Sequence, residues 1–206
     1  MIEPPTGNGV APVVYTYTVA RLLSAIGMTF DGRHIHLLDA NSDNVRMIEP
    51  PTGNGVAPVV YTYTVSGLNA PSGAAFDGRH IHLLDATDDN VRMIVPPTGN
   101  GVAPVVYTYT VSGLNDPKGA VFDGRHIHLL DATDDNVRMI VPPTRNGVAP
   151  VVYTYTVSGL NAPQCATFDG GLGVRLFKIG NKDVDKLYIG SNEVDAVYLG
   201  ENLVWN

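Results

Sequence analysis

The run M-I-V-P-P-T-G-N-G-V-A-P-V-V-Y-T-Y-T-V, residues 93–111, decides the fold. Its last seven residues alternate, with Val105, Tyr107, Tyr109 and Val111 on one face and Val106, Thr108 and Thr110 on the other. β-Branched and aromatic types in period two make this a strand. Pro96-Pro97 stops pairing ahead of it, and Thr98 to Ala103 reads as a Gly-rich loop. The phrase opens at Met1, Met47, Met93 and Met139, a fixed spacing of 46 residues. A second phrase, F-D-G-R-H-I-H-L-L-D-A, starts at Phe30, Phe76 and Phe122, and its stub F-D-G recurs at Phe168. The period therefore runs from the first residue to about Gly170.

The copy from Gly73 to Ser112 supplies the other strands. Gly73 to Phe76 is a short strand of small residues ended by the turn pair Asp77-Gly78. His80 to Leu84 alternates, Ile81 and Leu83 on one face and His80, His82 and Leu84 on the other. A polar turn from Asp85 to Asn90 leads into Val91 to Val95. Four short strands in a period too tight for a three-turn helix make a propeller blade. Ordering one unit alone costs on the order of 70 kcal/mol at ~1.5 per residue, which only stacking on its neighbours offsets.

Once these residues are in place, Pro71-x-Gly73-x-Ala75-Phe76-Asp77-Gly78, then Ile81-His82-Leu83-Leu84-Asp85 and Asn90-Val91, resemble the repeat of NHL-type and related six- or seven-bladed β-propellers. The resemblance covers about 170 residues, departs from the family at His82, and implies a fold with no particular activity. The expected class is all-β. It is a small β-propeller of about four 46-residue, four-stranded blades over residues 1–172, closed by N- and C-terminal strands, plus a C-terminal β-hairpin meander over 173–206. The last blade is a hybrid: residues 1–19 give its outer strands, and Gly173 to Ile179 completes the count. An open array completed by another subunit is the competing architecture.

After Val174 a ten-residue pattern takes over, in Phe177-Lys178-Ile179-Gly180, Leu187-Tyr188-Ile189-Gly190 and Val197-Tyr198-Leu199-Gly200. The Gly-led polar pairs turn the chain between short strands. Lys186 to Gly190 through Val204-Trp205 resembles a C-terminal segment found on tailed-phage virion proteins, including fibres and tail tips. That resemblance implies a virion location, with Tyr188, Tyr198 and Trp205 serving virion attachment or oligomerisation.

Composition narrows the partners. The 206 residues are 44% hydrophobic and 16% charged, which excludes disorder. No apolar run approaches the ~20 residues of a membrane span, so no membrane insertion is expected, nor is a secretion signal. A net charge of -7 argues against nucleic acid. A single cysteine, Cys165, forms no internal disulfide and stands where other copies have Gly27, Gly73 and Gly119, as a small buried residue.

Catalysis needs unlike groups placed asymmetrically, whereas here nearly every titratable group recurs in each repeat, so no catalytic residue and no cofactor are expected. His34/His36, His80/His82 and His126/His128 have the spacing of metal ligands, yet separate blades hold them apart. Inter-blade packing and hydrogen bonding is their expected use, with no metal. Asp85, Asp88, Asp89 and Asn90, and their copies Asp131, Asp134, Asp135 and Asn136, lack the central Gly of a calcium loop and read as solvated turn residues paired with Arg79 and Arg92. Tyr15, Tyr17, Tyr61, Tyr63, Tyr107, Tyr109, Tyr153 and Tyr155 are the candidate receptor-binding residues, able to stack on sugars or on protein. Inter-blade core is the competing use for these tyrosines. The expected function is that of a bacteriophage virion structural protein, a tail-fibre, tail-tip or adhesin component. Its expected partners are other virion proteins, a host surface glycan or protein, and copies of itself. A capsid- or tail-decorating protein and a propeller hydrolase are the alternatives.

Overall fold

A computed structural model of the chain describes residues 13–156 in full and four tail strands within 187–205. Among the described residues every regular element is a strand, so no helix there is long and apolar enough to cross a membrane. The first copy gives β1 (Tyr17–Val19), β2 (Ala25–Phe30), β3 (Ile35–Asp39) and β4 (Asn44–Ile48). The second gives β5 (Gly55–Ala57), β6 (Val59–Val65), β7 (Pro71–Phe76), β8 (Ile81–Asp85) and β9 (Asn90–Ile94). The third gives β10 (Gly101–Ala103), β11 (Val105–Val111), β12 (Pro117–Phe122), β13 (Ile127–Asp131) and β14 (Asn136–Ile140), and the fourth β15 (Gly147–Ala149) and β16 (Val151–Thr156). The tail contributes β17 (Leu187–Ile189), β18 (Asn192–Val194), β19 (Val197–Leu199) and β20 (Asn202–Trp205).

The four antiparallel strands of each large sheet come from two consecutive copies, and the fifth strand of the first two sheets comes from the copy after those. The second sheet has the order β7-β8-β9-β11, all antiparallel, and Asp85 opposite Asn90 closes its central hairpin. Beyond β11 lies a fifth strand, β15, which pairs in parallel through Tyr109↔Gly147, Thr110↔Val148 and Val111↔Ala149. The first sheet is built alike, with β10 as its outermost strand, and β1 pairs with β5 in the same register. The third sheet has four strands, β12-β13-β14-β16.

Here the expectation of a loop from Thr98 to Ala103 is corrected: Gly101–Ala103 is a strand, and it belongs to the sheet of the preceding copy. The asparagine before it makes the join. Asn100 Oδ1 accepts the Thr62 N–H at 2.8 Å, and Asn54 and Asn146 do the same for Thr16 and Thr108. The strap covers the edge that each fourth strand would leave open.

Both faces of the middle sheet are buried, which is why its strands read as near-continuous apolar runs. Ile81, Leu83 and Ile94 pack on Leu38, Val45, Met47 and Tyr63 of the first sheet. On the other face Leu84, Val91, Met93 and Tyr109 meet Ala120, Ile127, Leu129 and Ile140 of the third. The alternation expected on the second strand, Ile81 and Leu83 against His82 and Leu84, is the one that divides these two clusters. Between the sheets the first strands come close: a Cβ built on Gly27 would lie 3.2 Å from the Gly73 Cα.

Arg21 sits at φ +60, where the later copies have Gly67 and Gly113 at φ +73 and +74. An L side chain there costs roughly 1–2 kcal/mol, partly offset because glycine loses more entropy on folding. Arg21→Gly should therefore stabilise the chain by about 0.5 kcal/mol, seen as a melting temperature ~1–2 °C higher. A fall in melting temperature would show that the arginine side chain outweighs the strain.

The chain divides into two compact units, Met1–Cys165 and Ala166–Asn206. In the second unit β17 pairs with β18 and β19 with β20, two antiparallel hairpins as the Gly-led turns predicted. The proposed strands at Met1-Ile2, Cys165 and Gly173 to Ile179 lie outside the described residues.

Candidate functional site

The turn Asp77-Gly78 sets the geometry of the repeated polar residues. Gly78 takes φ +93, and Asp77 Oδ1 accepts the N–H groups of Arg79 at 2.8 Å and His80 at 2.6 Å. This leaves Asp77 Oδ2 facing β8, 2.9 Å from His82 Nε2. A carboxylate only accepts, so Nε2 carries a proton, and in a neutral ring Nδ1 is an acceptor. Tyr109 OH, 2.9 Å from that Nδ1, fills it. Burial, with the Asp77 charge adding to it, pushes the Tyr109 phenol well above its ordinary range, so it remains a donor. The two rings meet edge on at 6.0 Å and 69°.

The same chain of contacts recurs as Asp31–His36–Tyr63 and Asp123–His128–Tyr155. His80 Nδ1 also lies 3.4 Å from Asp77 Oδ2, so both imidazoles of each His-x-His converge on one carboxylate. Asp77 stands in the turn before β8, and His82 and Tyr109 on β8 and β11 of one sheet, so the expected inter-blade hydrogen bonding is corrected: these bonds tie strands within a sheet.

The carboxylate is tuned by opposing effects. For Asp31, burial works against the charge, but the N–H groups of His34 and Arg33 and the His36 ring outweigh it and hold the pKa at about 2. Asp77 and Asp123 are held low in the same way. His36 is lowered chiefly by burial, against the pull of Asp31. A buried neutral imidazole stabilises fully above its unfolded value of 6.5 and loses that contribution as acid protonates the unfolded chain. The lowered carboxylates keep theirs above 3.8 and lose it as pH falls through their folded values. The urea midpoint should thus decline in two steps, below about pH 6.5 and again between about pH 4 and 2. A midpoint unchanged from pH 7 to 5 would contradict the buried neutral His36.

A second aspartate in each copy was misjudged from sequence. Asp85 is not a solvated turn residue but is fully buried. Its Oδ2 accepts the Asn69 N–H at 3.1 Å, and its Oδ1 accepts Thr87 and Asp88 N–H groups at 3.1 and 3.3 Å. Arg92 Nε lies 3.6 Å away and Arg92 Nη2 reaches Asp88 at 3.3 Å. Asp39 and Asp131 repeat the role, each tying the strand that leaves one sheet to the turn of the next. The signal available in sequence was the recurrence of Asp at a strand end opposite Asn.

The tyrosines separate by depth. Tyr63 and Tyr109 are 1% exposed and bonded to histidines, which removes them as receptor contacts, and Tyr155 is likewise held by His128. Tyr17, Tyr61 and Tyr107 are partly buried against the inter-sheet clusters, and Tyr15 is partly buried as well. Tyr153 is 66% exposed. Tyr188, Tyr198 and Trp205 lie on β17, β19 and β20 of the second unit. On the outer strap Val56, Val102 and Val148 are all exposed, one per copy.

No family model and no curated protein sequence matches the chain. Solved structures do. The hydrazine synthase of Kuenenia stuttgartiensis aligns with TM-score 0.51 and 16% identity over 73% of this chain and 40% of that one. The glutaminyl cyclase of Myxococcus xanthus gives 0.51 and 15% over 72% and 61%. The likeness is one of fold. The chain spans only 40% to 61% of the length of these two proteins. The WD40 β-propeller domain of Doa1 aligns at 0.46 and 12% identity over 66% of this chain and 42% of that one, too slight to add to them. All-β architecture with propeller-like sheets of four and five strands is thereby established.

Proposed function

We propose that the chain is a non-enzymatic structural and adhesive protein of a bacteriophage particle, its repeat unit binding a host surface and its hairpin tail fixing it to the virion. One observation carries the reading: in each of the three large sheets the Asp, His and Tyr that a catalyst would use hydrogen-bond to one another. What recurs on the outside is a set of near-identical surfaces, suited to weak contacts multiplied by avidity. The tail hairpins agree with the virion-segment resemblance carried by Lys186 to Trp205. Labelled antibody imaged on particles should mark a surface site, and the purified chain should bind host cells or a glycan array. Unlabelled particles would sink the virion placement, and a chain that binds no host surface would sink attachment.

The strap favours a second reading, a decorating protein, because clamping each sheet with the next copy makes a mechanically tied array. Loss of particle stability on deletion, without loss of adsorption, would select it.

Ring closure with a fourth, hybrid blade is part of the proposal. Met28, on the leading face of the first sheet, is 63% exposed, whereas its counterpart Ala74 is buried by the sheet before it. Tyr153, on the last described sheet, is equally bare. Closure within one chain predicts a monomer by light scattering, and closure between chains predicts an oligomer.

A further inference from the structure

Copies 47–92 and 93–138 are identical at all but four of their 46 positions. The differences are Glu49/Val95, Ala70/Asp116, Ser72/Lys118 and Ala75/Val121. Three of the four lie on the first strand of the sheet, β7 or β12, or on the residue leading into it. In the first copy the place of Ser72 and Lys118 is held by Ile26. While the rest of the unit is duplicated, this spot carries a different side chain each time.

The three residues meet. Ile26, Ser72 and Lys118, each the second residue of its strand, line one cavity of about 360 Å³ together with Ala70, Pro71 and Ala86. That volume lies at the lower end of small-molecule sites, the size for a single sugar ring.

The wall has two characters. Ile26, Pro71 and the alanines are apolar. Lys118 supplies the charged part of the lining, and its Nζ stands 2.8 Å from Asp116 Oδ1, the pair being 30% and 34% exposed. An ammonium only donates, so a ligand hydroxyl finds a donor at Lys118. The Ser72 hydroxyl donates to the Pro117 carbonyl and keeps its oxygen as an acceptor. The surroundings disfavour an anion. Asp89 is raised by burial first and then by the negative charges of Asp116, Asp131, Asp85 and Asp88.

We propose that this cavity binds a neutral sugar residue with adjacent hydroxyl groups, its C–H face on Ile26 and Pro71 and its hydroxyls shared between Ser72 and Lys118, whose ammonium Asp116 holds in place. The ligand class rests on the recognition reading above; the site itself does not depend on a virion.

The whole chain should be titrated with mannose, galactose, glucose and glucuronic acid by saturation-transfer NMR. The expected result is binding of a neutral hexose in the millimolar range, with glucuronic acid at least tenfold weaker. The double variant Asp116→Ala, Lys118→Ser writes the second copy's residues into the third, a combination the fold already accepts. It should weaken hexose binding at least tenfold while leaving the circular dichroism spectrum and melting temperature unchanged. Hexose binding that survives this variant, tighter binding of glucuronic acid, or no binding of any neutral hexose would each overturn the site. Particles that still adsorb through this protein when the pure chain binds no hexose would leave attachment standing and remove only the cavity. Hexose binding by a chain absent from particles would do the reverse.

Discussion

Gly73→Ala is expected to destabilise the repeat unit by about 3 kcal/mol, the upper end of the range for overpacking a core. The added Cβ would lie 2.8 Å from the Lys118 carbonyl oxygen, 2.9 Å from the Gly119 Cα and 3.0 Å from Leu84 Cδ1. Two of these are backbone atoms of the neighbouring first strand, so no rotamer change relieves the clash. The second and third sheets must move apart, loosening Leu84, Ala120, Ile127 and Leu129 together. The matching change at Gly27 meets Gly73 Cα at 3.2 Å and the Ser72 carbonyl oxygen at 3.5 Å, and should cost only about 1 kcal/mol. Thermal melts should show the first variant lower by ~6–12 °C and the second by ~2–4 °C. Equal effects at the two sites would mean that the sheets are not held at the separation described.

Asp85→Ala should cost about 4 kcal/mol, because it leaves three backbone N–H groups and the Arg92 guanidinium short of a buried acceptor. Asp88, 41% exposed and sharing the same arginine, offers the control: its replacement by Ala should change stability by no more than about 0.5 kcal/mol. Hydrogen exchange adds a local readout. In Asp85→Ala the Asn69 amide loses its acceptor and should exchange faster, whereas in the Asp88 variant it should not. If both substitutions prove mild, the burial of Asp85 carries no anchoring role.

How far the fold could be read from sequence depended on whether its signal was local. The strand Val105–Val111 was legible from alternation, β-branching and a flanking Pro, except at Val105: a bulge between Val105 and Tyr107 turns Val105 to the cluster of Ile81 and Leu83, while Tyr107, Tyr109 and Val111 join the one against the third sheet. The faces of Ile81 to Leu84 were legible from alternation, but the burial of both was not, because the second face is covered by a neighbouring sheet that the strand's own pattern does not reveal. Gly101–Ala103 was not legible: three residues between Asn100 and Pro104 carry no pattern, and their partner lies 38 residues back. Asp85 was misread for a related reason, as its ligands are backbone N–H groups of a linker, which have no side-chain signature. The tyrosines were placed on the right strand face but not at the right depth, because Tyr109 finds its partner, His82, 27 residues away on another strand. The identity of the hydrogen-bonded triplets needed coordinates, while their recurrence at each copy needed only the repeat.

The parallel strap also governs how the array tolerates a change in length. Because residues 101–103 complete the sheet of the copy before them, any cut-and-splice event that adds or removes a whole 46-residue period leaves every internal sheet with its fifth strand, wherever in the period the breakpoint falls. An insertion of any other length would hand one sheet a mismatched hem and leave it fraying at the rim.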